Sequence, residues 1–329
     1  MKIQLNGKEH QVQGPHNLKI LIDQFLKDPS RSLIAEVNGE IIKTPQWEQT
    51  LLKDGDSIEL VSFVGGGSQT AQDPLIIAGK SFASRFLLGT GKFKNKIDLK
   101  NSILEAGIEI VTVALRRIDL ERHDENILEY IPKNVTLLVN TSGARNAKEA
   151  LRIAQLSRES GYGNWIKVEV INDSKYLLPD NAETIKATEM LVKEGFIALP
   201  YMSPDLYVAR ELVKAGAATI MPLGSLIGSN QGLKVKELIK IIIQEIEEVP
   251  IVVDAGIGLP SHAAEAMEMG AAAVLANTAI ASAENPPMLA KAFNFAIQAG
   301  RLAYLSKTAG PRDFADPSSP LTGFLYETN

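Results

Sequence analysis

Eight short apolar runs alternate with amphipathic stretches along most of this 329-residue chain, and this alternation limits its fold more than any other feature. The runs are RFLLG, EIVTVAL, TLLVNT, IKVEVI, FIALPY, ATIMPL, PIVVDAG and AAAVLAN. Several of the stretches between them end in a glycine just before the next run, which is typical of a helix C-terminus. Eight βα units in about 250 residues predict an α/β fold of the (β/α)8 TIM-barrel type, because an open doubly wound sheet usually has fewer strands.

A different pattern precedes the barrel. The segment before the barrel is predicted to form a strand, a turn, a strand, a helix and further strands, with turns at Gly7-Lys8 and Asn38-Gly39. Two hairpins around one helix predict a small α+β domain that ends in Gly65-Gly66-Gly67. The polar segment SQTAQDP that follows is typical of a linker. We therefore predict a first domain at 1–67, a linker at 68–73 and the barrel at 74–329.

Composition excludes several classes of function. A net charge of −5 and a pI near 5.6 argue against nucleic acid or an anionic membrane as the main partner. The absence of cysteine excludes disulfides, thiolate metal sites and cysteine nucleophiles. The four histidines lack metal-ligand spacing, so we expect no metal site. We expect no other cofactor either. The start MKIQLNGKEHQV lacks the apolar core of a signal peptide, and no apolar run is long enough to span a membrane, so we expect a cytoplasmic protein.

The run IKVEV carries two charged side chains on one face of a predicted strand. Alternate strand residues point to opposite faces, so Lys167 and Glu169 share a face opposite to Ile166 and Val168. If helices cover the apolar face, the two charged groups point into the barrel, where charge is costly unless it is paired or used. One interpretation is a structural ion pair, and the other is a lysine amine that is available for covalent chemistry.

Further candidates lie where barrel enzymes place their active sites, at the carboxyl ends of the strands. Asp254 ends the seventh run and is expected to share a pocket with Lys167 and Glu169. Backbone amides in the loops after strands six to eight are candidates to bind phosphate, although glycines there also simply terminate strands. These loops contain Gly228, Ala255, Gly256, Asn277 and Thr278. Arg116-Arg117 and Asn140-Thr141 are weaker candidates on the same rim.

The chain from about residue 73 to the end resembles bacterial thiazole synthase of thiamine biosynthesis. The resemblance rests on LLGTGKF, VTVALRR, WIKVEVI, LLPD, PLGSLIGSNQG, VVDAGIG, VLANTAIA and SSPLTGF. The first domain resembles the ubiquitin-like (β-grasp) sulfur carrier of the same pathway through VNGEII, LKDGDSIELVSFV and the closing glycines.

The resemblance implies roles for the candidate residues. Lys167 corresponds to the lysine that forms an imine with 1-deoxy-D-xylulose 5-phosphate, and Glu169 and Asp254 correspond to acid/base residues. The substrate-binding positions, chiefly for its phosphate, correspond to Gly228, Ala255, Gly256, Asn277 and Thr278. Gly66 and Gly67 correspond to the carrier tail, although Gly67 is here followed by Ser68 instead of ending the chain.

The implied reaction joins the sugar phosphate, a glycine-derived imine (dehydroglycine) and sulfur from a carrier thiocarboxylate. The implied partners are a sulfur-carrier adenylyltransferase, a glycine-oxidising enzyme and further copies of the chain in a homo-oligomer. Two alternatives stay open at this point. One is another Schiff-base barrel enzyme of the aldolase or pyridoxal phosphate synthase type, and the other is a non-catalytic carrier or scaffold.

Overall fold

The chain divides into two compact units, Met1–Asp73 and Pro74–Asn329. A computed structural model describes residues 1–12, 17–25, 33–62, 73–115, 127–307, 309–310 and 312–316. Gly66, Gly67 and most of the predicted linker lie outside the described residues, so the domain limits 1–67, 68–73 and 74–329 stay a prediction.

The first unit is a five-stranded mixed sheet with one helix. Its strands are β1 Lys2–Leu5, β2 Lys8–Gln11, β3 Leu33–Val37, β4 Glu40–Ile42 and β5 Ser57–Ser62. The helix is α1 Leu18–Phe25, and a 3₁₀ helix spans Thr44–Gln46. The sheet order is β2-β1-β5-β3-β4, with β1 parallel to β5 and every other pair antiparallel. This is the predicted α+β domain in a β-grasp arrangement.

The first hairpin turns one residue earlier than predicted. Its turn residues are Asn6 and Gly7, with φ angles of 47° and 73°, whereas the sequence pattern predicted Gly7-Lys8. A turn with two positive φ angles favours Asn-Gly, and a lysine is disfavoured there. The second hairpin turns at Asn38-Gly39, as predicted, with φ angles of 52° and 87°.

The small unit has its own hydrophobic core. Leu18, Leu21 and Ile22 are buried on one face of α1, as the i, i+3, i+4 spacing of an amphipathic helix requires. They belong to one cluster with Ile3 and Ile58 of the sheet. The sheet and the helix therefore bury their apolar faces against each other within this unit.

The second unit is an eight-stranded parallel barrel, which confirms the predicted fold class. Its strands are β8 Phe86–Gly89, β9 Ile110–Ala114, β10 Thr136–Asn140, β11 Trp165–Val168, β12 Ile197–Met202, β13 Met221–Pro222, β14 Val252–Asp254 and β15 Ala273–Ala276. The sheet order is β13-β12-β11-β10-β9-β8-β15-β14. Parallel bridges from Ile220 to Ile251 and from Leu223 to Asp254 connect its two ends. Each of the eight predicted runs supplies one strand.

Helices follow most of the strands and cover the outside of the barrel. They are α2 Lys96–Glu105, α3 Ala147–Glu159, α4 Asn181–Lys193, α5 Leu206–Lys214, α6 Lys236–Glu245, α7 Pro260–Glu268, α8 Thr278–Ala281 and α9 Pro286–Leu305. A 3₁₀ helix at Ile127–Tyr130 precedes β10. Side chains that accept a backbone N–H begin several of these helices, as N-capping requires, and they belong to Asn95, Asn146, Asp180, Asp205 and Asn285.

A short hairpin that the sequence analysis did not predict precedes the barrel. It consists of β6 Leu75–Ile77 and β7 Lys80–Phe82, which pair antiparallel. Leu75, Ile77 and Phe82 are buried and join the cluster of interior side chains from the barrel strands. The hairpin therefore closes the amino-terminal end of the barrel, and the carboxyl end is left for the loops.

No helix in the described parts of the chain is both long and apolar enough to cross a bilayer.

Candidate active site

Strand β11 separates its apolar and charged side chains as the alternation predicts. Ile166, Val168 and Val170 are buried in a cluster with residues of α3 and α4. Trp165 packs against the interior cluster at the closed end, and Lys167 follows on the same face. Lys167 therefore lies inside the barrel, and its side chain is only 9% exposed.

Lys167 forms an ion pair with Asp254 at the carboxyl end of β14. The Lys167 Nζ contacts Asp254 Oδ2, and the Asp254 side chain is 3% exposed. Glu169 follows β11 and lines the same cavity of about 140 Å³ as these two residues. We call this space the Lys167 cavity. The structure thus brings together the three residues for which the sequence predicted a shared pocket.

The pKa of Lys167 is raised above its ordinary value of 10.5. Burial is the largest single influence and lowers the pKa, because it disfavours the ammonium form. The negative charges of Asp254 and Glu169, together with the hydrogen bond that the ammonium donates to Asp254, more than offset that effect. The sequence alone left the direction of this shift open. With this raised pKa the lysine is an ammonium ion at neutral pH.

Thr141 fixes the backbone where Glu169 leaves the strand. The Glu169 N–H donates to Thr141 Oγ1 at 2.8 Å, and that hydroxyl donates to the Glu169 carbonyl at 2.9 Å. The Thr141 N–H donates to the Lys167 carbonyl at 3.1 Å. Thr141 is fully buried. Its side chain therefore holds the end of β11 in place, while its neighbour Asn140 lines the cavity.

Tyr201 of β12 is part of the surroundings of Lys167 that the sequence analysis missed. Its ring centroid lies 5.3 Å from Lys167 Nζ, and the residue is fully buried. Within the described residues its hydroxyl has no hydrogen-bond partner. Burial raises the pKa of Tyr201, and the charges of Asp254 and Glu169 raise it further. Its two-residue spacing from Leu199, which is in the barrel interior, is the sequence signal that could have identified it.

The residues predicted to bind phosphate line the Lys167 cavity. Gly228, Ala255 and Gly256 all have positive φ angles, of 75°, 65° and 76°. Ala255 is an unusual residue in this conformation, and such outliers concentrate at functional sites. A Cβ on Gly256 would overlap the Ser225 side chain, so only glycine fits there. Thr278 also lines this cavity.

Asn277 uses its side chain to hold the loop after β8. With the carboxamide in the orientation that satisfies both groups, its nitrogen donates to the carbonyls of Gly89 at 2.9 Å and Gly91 at 2.7 Å. A Cβ on Gly89 would lie 2.6 Å from the Asn277 Cβ, so the contact needs glycine at that position. The sequence pattern predicted Asn277 only as a contact to substrate.

A second cavity of about 470 Å³ adjoins the first, and we call it the loop cavity. It is bordered by the loops after β8, β10 and β11, which contribute Lys92, Arg145 and Asn172. Glu169 and Thr278 line both cavities. The two spaces therefore share a wall at the carboxyl end of the barrel.

Several predicted features lie elsewhere. Gly66, Gly67 and Arg116-Arg117 are outside the described residues. Of the four histidines, His262 has a structural role, because its Nδ1 accepts backbone N–H groups from Gly258 at 3.3 Å and Leu259 at 3.2 Å and so caps α7. Among the described residues, no group of three or more His, Asp or Glu side chains could hold a metal ion.

Comparisons with known proteins divide the chain in the same way as its fold. The family model "Thiazole biosynthesis protein ThiG" matches residues 76–320, and the model "ThiS family" matches residues 3–67. The chain is 62% identical over 251 residues to a thiazole synthase of Alkaliphilus metalliredigens, covering 76% of this chain and 97% of that protein. It is 60% identical over 256 residues to a thiazole synthase of Pelotomaculum thermopropionicum, covering 78% of this chain and all of that protein.

A solved structure shares the barrel. It is a chain of the Amycolatopsis orientalis BexX/CysO complex, with 34% sequence identity and a TM-score of 0.66. The alignment covers 74% of this chain and 100% of that chain.

Proposed function

This chain belongs to the thiazole synthase family of thiamine biosynthesis, and from that membership we propose that Lys167 captures the ketone of 1-deoxy-D-xylulose 5-phosphate as a Schiff base. Family membership confirms the predicted thiazole synthase. The alternatives of another Schiff-base sugar-phosphate enzyme and of a non-catalytic scaffold are therefore set aside.

The observation that carries this proposal is the buried contact between Lys167 and Asp254 in a cavity at the carboxyl end of the barrel. Attack on a ketone requires the neutral amine, and the raised pKa of Lys167 means that a base must take its proton. Asp254 is already in contact with Nζ and accepts that proton. The amine nitrogen then bonds to the ketone carbon, and loss of one water molecule gives the imine.

Glu169 is the second acid/base group in this proposal. An iminium ion acidifies the carbons next to it, so proton transfers at these carbons follow imine formation. Glu169 lines the Lys167 cavity and also borders the loop cavity. It can therefore exchange protons with substrate atoms in either cavity.

The phosphate of the substrate occupies the part of the cavity formed by three loops. Gly228, Ala255 and Gly256 are in left-handed conformations, and glycine lets a ligand approach the backbone closely. The backbone amides of these loops, with the Thr278 hydroxyl, form the proposed phosphate site, and Asn277 supports it through its contact with the β8 loop. The adjoining loop cavity has room for dehydroglycine and for the end of a sulfur carrier.

The proposed partners follow from this chemistry. Sulfur arrives as a thiocarboxylate on a carrier that an adenylyltransferase has activated, and a glycine-oxidising enzyme supplies dehydroglycine. The relative in the BexX/CysO complex was solved as an assembly of two proteins, which supports docking of a second protein on the barrel. We also propose that the barrel forms a homo-oligomer.

The fusion requires a separate explanation, because Gly67 is followed by Ser68. Activation needs a free carboxylate, and a peptide carbonyl is not one. Two arrangements satisfy this requirement. Either the chain is cleaved after Gly67 to release the carrier, or a separate carrier supplies sulfur and the fused domain serves as a docking module.

Reductive trapping tests the Schiff base directly. The protein is incubated with 1-deoxy-D-xylulose 5-phosphate and cyanoborohydride, and the modified lysine is located by peptide mass spectrometry. We expect the adduct on Lys167, and we expect Lys167→Ala to lose both the adduct and complementation of a thiazole-requiring strain. Lys193→Ala is the control, because it removes only an exposed ion pair with Glu189. An adduct on another lysine, or full complementation by Lys167→Ala, would contradict the proposal.

A further inference from the structure

We infer that Lys92 supplies the positive charge that holds the phosphate of the sugar substrate, an inference that rests on the proposed function of the Lys167 cavity. The phosphate site proposed above consists of backbone amides and a hydroxyl. The residues proposed for it carry no positive charge, and Lys167 is paired with Asp254 and reacts with the ketone. Charge-assisted hydrogen bonds are stronger than neutral ones, and lysine binds phosphate in many proteins as a point charge.

The Lys92 ammonium lies at the phosphate loop. A Cβ built on Gly228 would lie 3.0 Å from Lys92 Nζ and 3.6 Å from Thr278 Oγ1. The Lys92 ammonium, the Thr278 hydroxyl and the backbone of Gly228, which has a φ of +75°, therefore border the same small space. A side chain at position 228 would crowd the ammonium, so the glycine keeps this space open.

The loop that carries Lys92 is held by the site itself. Asn277 donates to the carbonyls of Gly89 and Gly91, which fixes the segment just before Lys92. Lys92 has a φ of +69°, a left-handed conformation that is disfavoured for a residue with a Cβ. Such strain persists only where the surroundings impose it, and it concentrates at ligand sites.

Lys92 is also available to an anion. None of the ion pairs formed by the described residues involves Lys92. Among the described residues that border the loop cavity, Arg145 is the second cation, and it is already paired with Glu149 at 3.3 Å. Lys92 borders the loop cavity together with Thr278, which also lines the Lys167 cavity. Its charge is therefore placed where the two cavities meet.

The test compares Lys92→Met with a neighbouring control. Methionine keeps the length of the side chain and the same backbone preference, so the variant removes the charge without a new source of strain. Lys94→Met is the matched control, because Lys94 is exposed on the same loop. Lys92→Arg restores a positive charge.

Two readouts are used. The first is cyanoborohydride trapping at Lys167 with 1-deoxy-D-xylulose 5-phosphate and, separately, with the unphosphorylated 1-deoxy-D-xylulose. We expect Lys92→Met to raise the half-saturating concentration of the phosphorylated sugar about tenfold or more. The unphosphorylated sugar should be trapped equally well by all variants, Lys92→Arg should recover much of the loss, and Lys94→Met should match the wild type.

The second readout is calorimetric titration of each full-length variant with inorganic phosphate, which requires no Schiff base. We expect Lys92→Met to weaken phosphate binding, Lys92→Arg to recover much of it, and Lys94→Met to match the wild type. Equal phosphate affinity in Lys92→Met and the wild type, or an equal loss for both sugars, would overturn the inference. If the wild type forms no adduct at Lys167, the proposed function fails, and the phosphate titration still decides the role of Lys92.

Discussion

At the scale of single residues, the contact between Lys167 and Asp254 combines two requirements that usually conflict. A buried ammonium needs a partner, because an unpaired charge inside a protein is costly. A lysine that attacks a ketone must instead lose its proton. In the proposed mechanism Asp254 serves both needs, because the carboxylate that pairs with the ammonium also accepts its proton. The structural ion pair and the reactive amine, which are alternatives in the sequence, are therefore the same contact in the proposed mechanism.

The two carboxylates should raise the pKa of Lys167 by different amounts. Burial is the largest influence and lowers this pKa, Asp254 raises it through charge and a hydrogen bond, and Glu169 raises it less. In Asp254→Asn, burial outweighs what Glu169 contributes, so the pKa of Lys167 should fall below 10.5. In the wild type the pKa of Lys167 lies above 10.5. The fraction of Lys167 in the neutral amine form, and with it the acetylation rate, therefore increases with pH until the pH passes the raised pKa.

The measurement is the pH dependence of Lys167 acetylation, followed by peptide mass spectrometry. Asp254→Asn should move the midpoint to lower pH, and Glu169→Gln should move it in the same direction by a smaller amount. The comparison of the two variants is the control, because each removes one negative charge from the same cavity. A midpoint that stays in place or rises in Asp254→Asn would show that Asp254 does not hold the lysine in its charged form.

The sequence predicted the site residues through local periodicity but not the distances between them. Lys167 and Glu169 share a face because strand side chains alternate, and Asp254 joins them because parallel strands end at one rim. The direction of the Lys167 pKa shift depends on how burial and two charges balance, which requires coordinates. Lys92 was missed because its side chain reaches the site from a loop, where no periodicity applies, and only its proximity to Gly228 reveals it.

At the scale of secondary-structure elements, the sequence predicted the eight barrel strands but not the β6–β7 hairpin. The eight barrel strands are apolar runs between amphipathic helices, so their pattern is local and repeated. The hairpin has only three residues in each strand, and it gains its stability from side chains that lie far away along the chain. The sequence PLIIAGKSF was therefore not recognised as a hairpin.

The hairpin should contribute strongly to the stability of the barrel. Phe82 is 3% exposed, and its ring packs edge-on against Trp165 with the centroids 5.7 Å apart. Phe82→Ala should lower the free energy of unfolding by about 3–5 kcal/mol, because it leaves a cavity at the closed end of the barrel. Ile76→Ala is the control, since Ile76 lies in the same hairpin with 55% of its surface exposed and should change stability by less than about 0.5 kcal/mol.

Urea unfolding of the full-length variants, followed by circular dichroism, measures both changes. Equal losses in the two variants would mean that the hairpin does not close the barrel through its buried face.

Phe82→Ala should also affect the active site. Trp165 lies two residues before Lys167 on the same face of β11, so a looser closed end should reduce the trapping of substrate at Lys167 as well.

At the scale of the whole molecule, one chain contains two domains of one pathway. The ThiS family match and the β-grasp sheet agree on the first unit, and the ThiG match and the barrel agree on the second. The first unit has its own hydrophobic core, formed by α1 and its sheet. A piece made of residues 1–67 contains that entire core, so it is expected to fold without the barrel. The chemistry of the carrier can therefore be tested separately.

The bond between Gly67 and Ser68 should decide whether the first domain accepts sulfur. Adenylylation requires a carboxylate, and in the continuous chain Gly67 provides only a peptide carbonyl. A recombinant piece that ends at Gly67 should therefore gain a thiocarboxylate from a sulfur-carrier adenylyltransferase, ATP and a sulfur donor, whereas the full-length chain should not. Intact mass spectrometry detects the exchange of one oxygen for sulfur. The control is a piece that ends at Ser68, which has the same fold but lacks the terminal glycine carboxylate.

Intact mass of the protein from its native host then separates cleavage after Gly67 from sulfur supply by a separate carrier. A single full-length species with active synthase would exclude obligatory cleavage and would require a separate carrier.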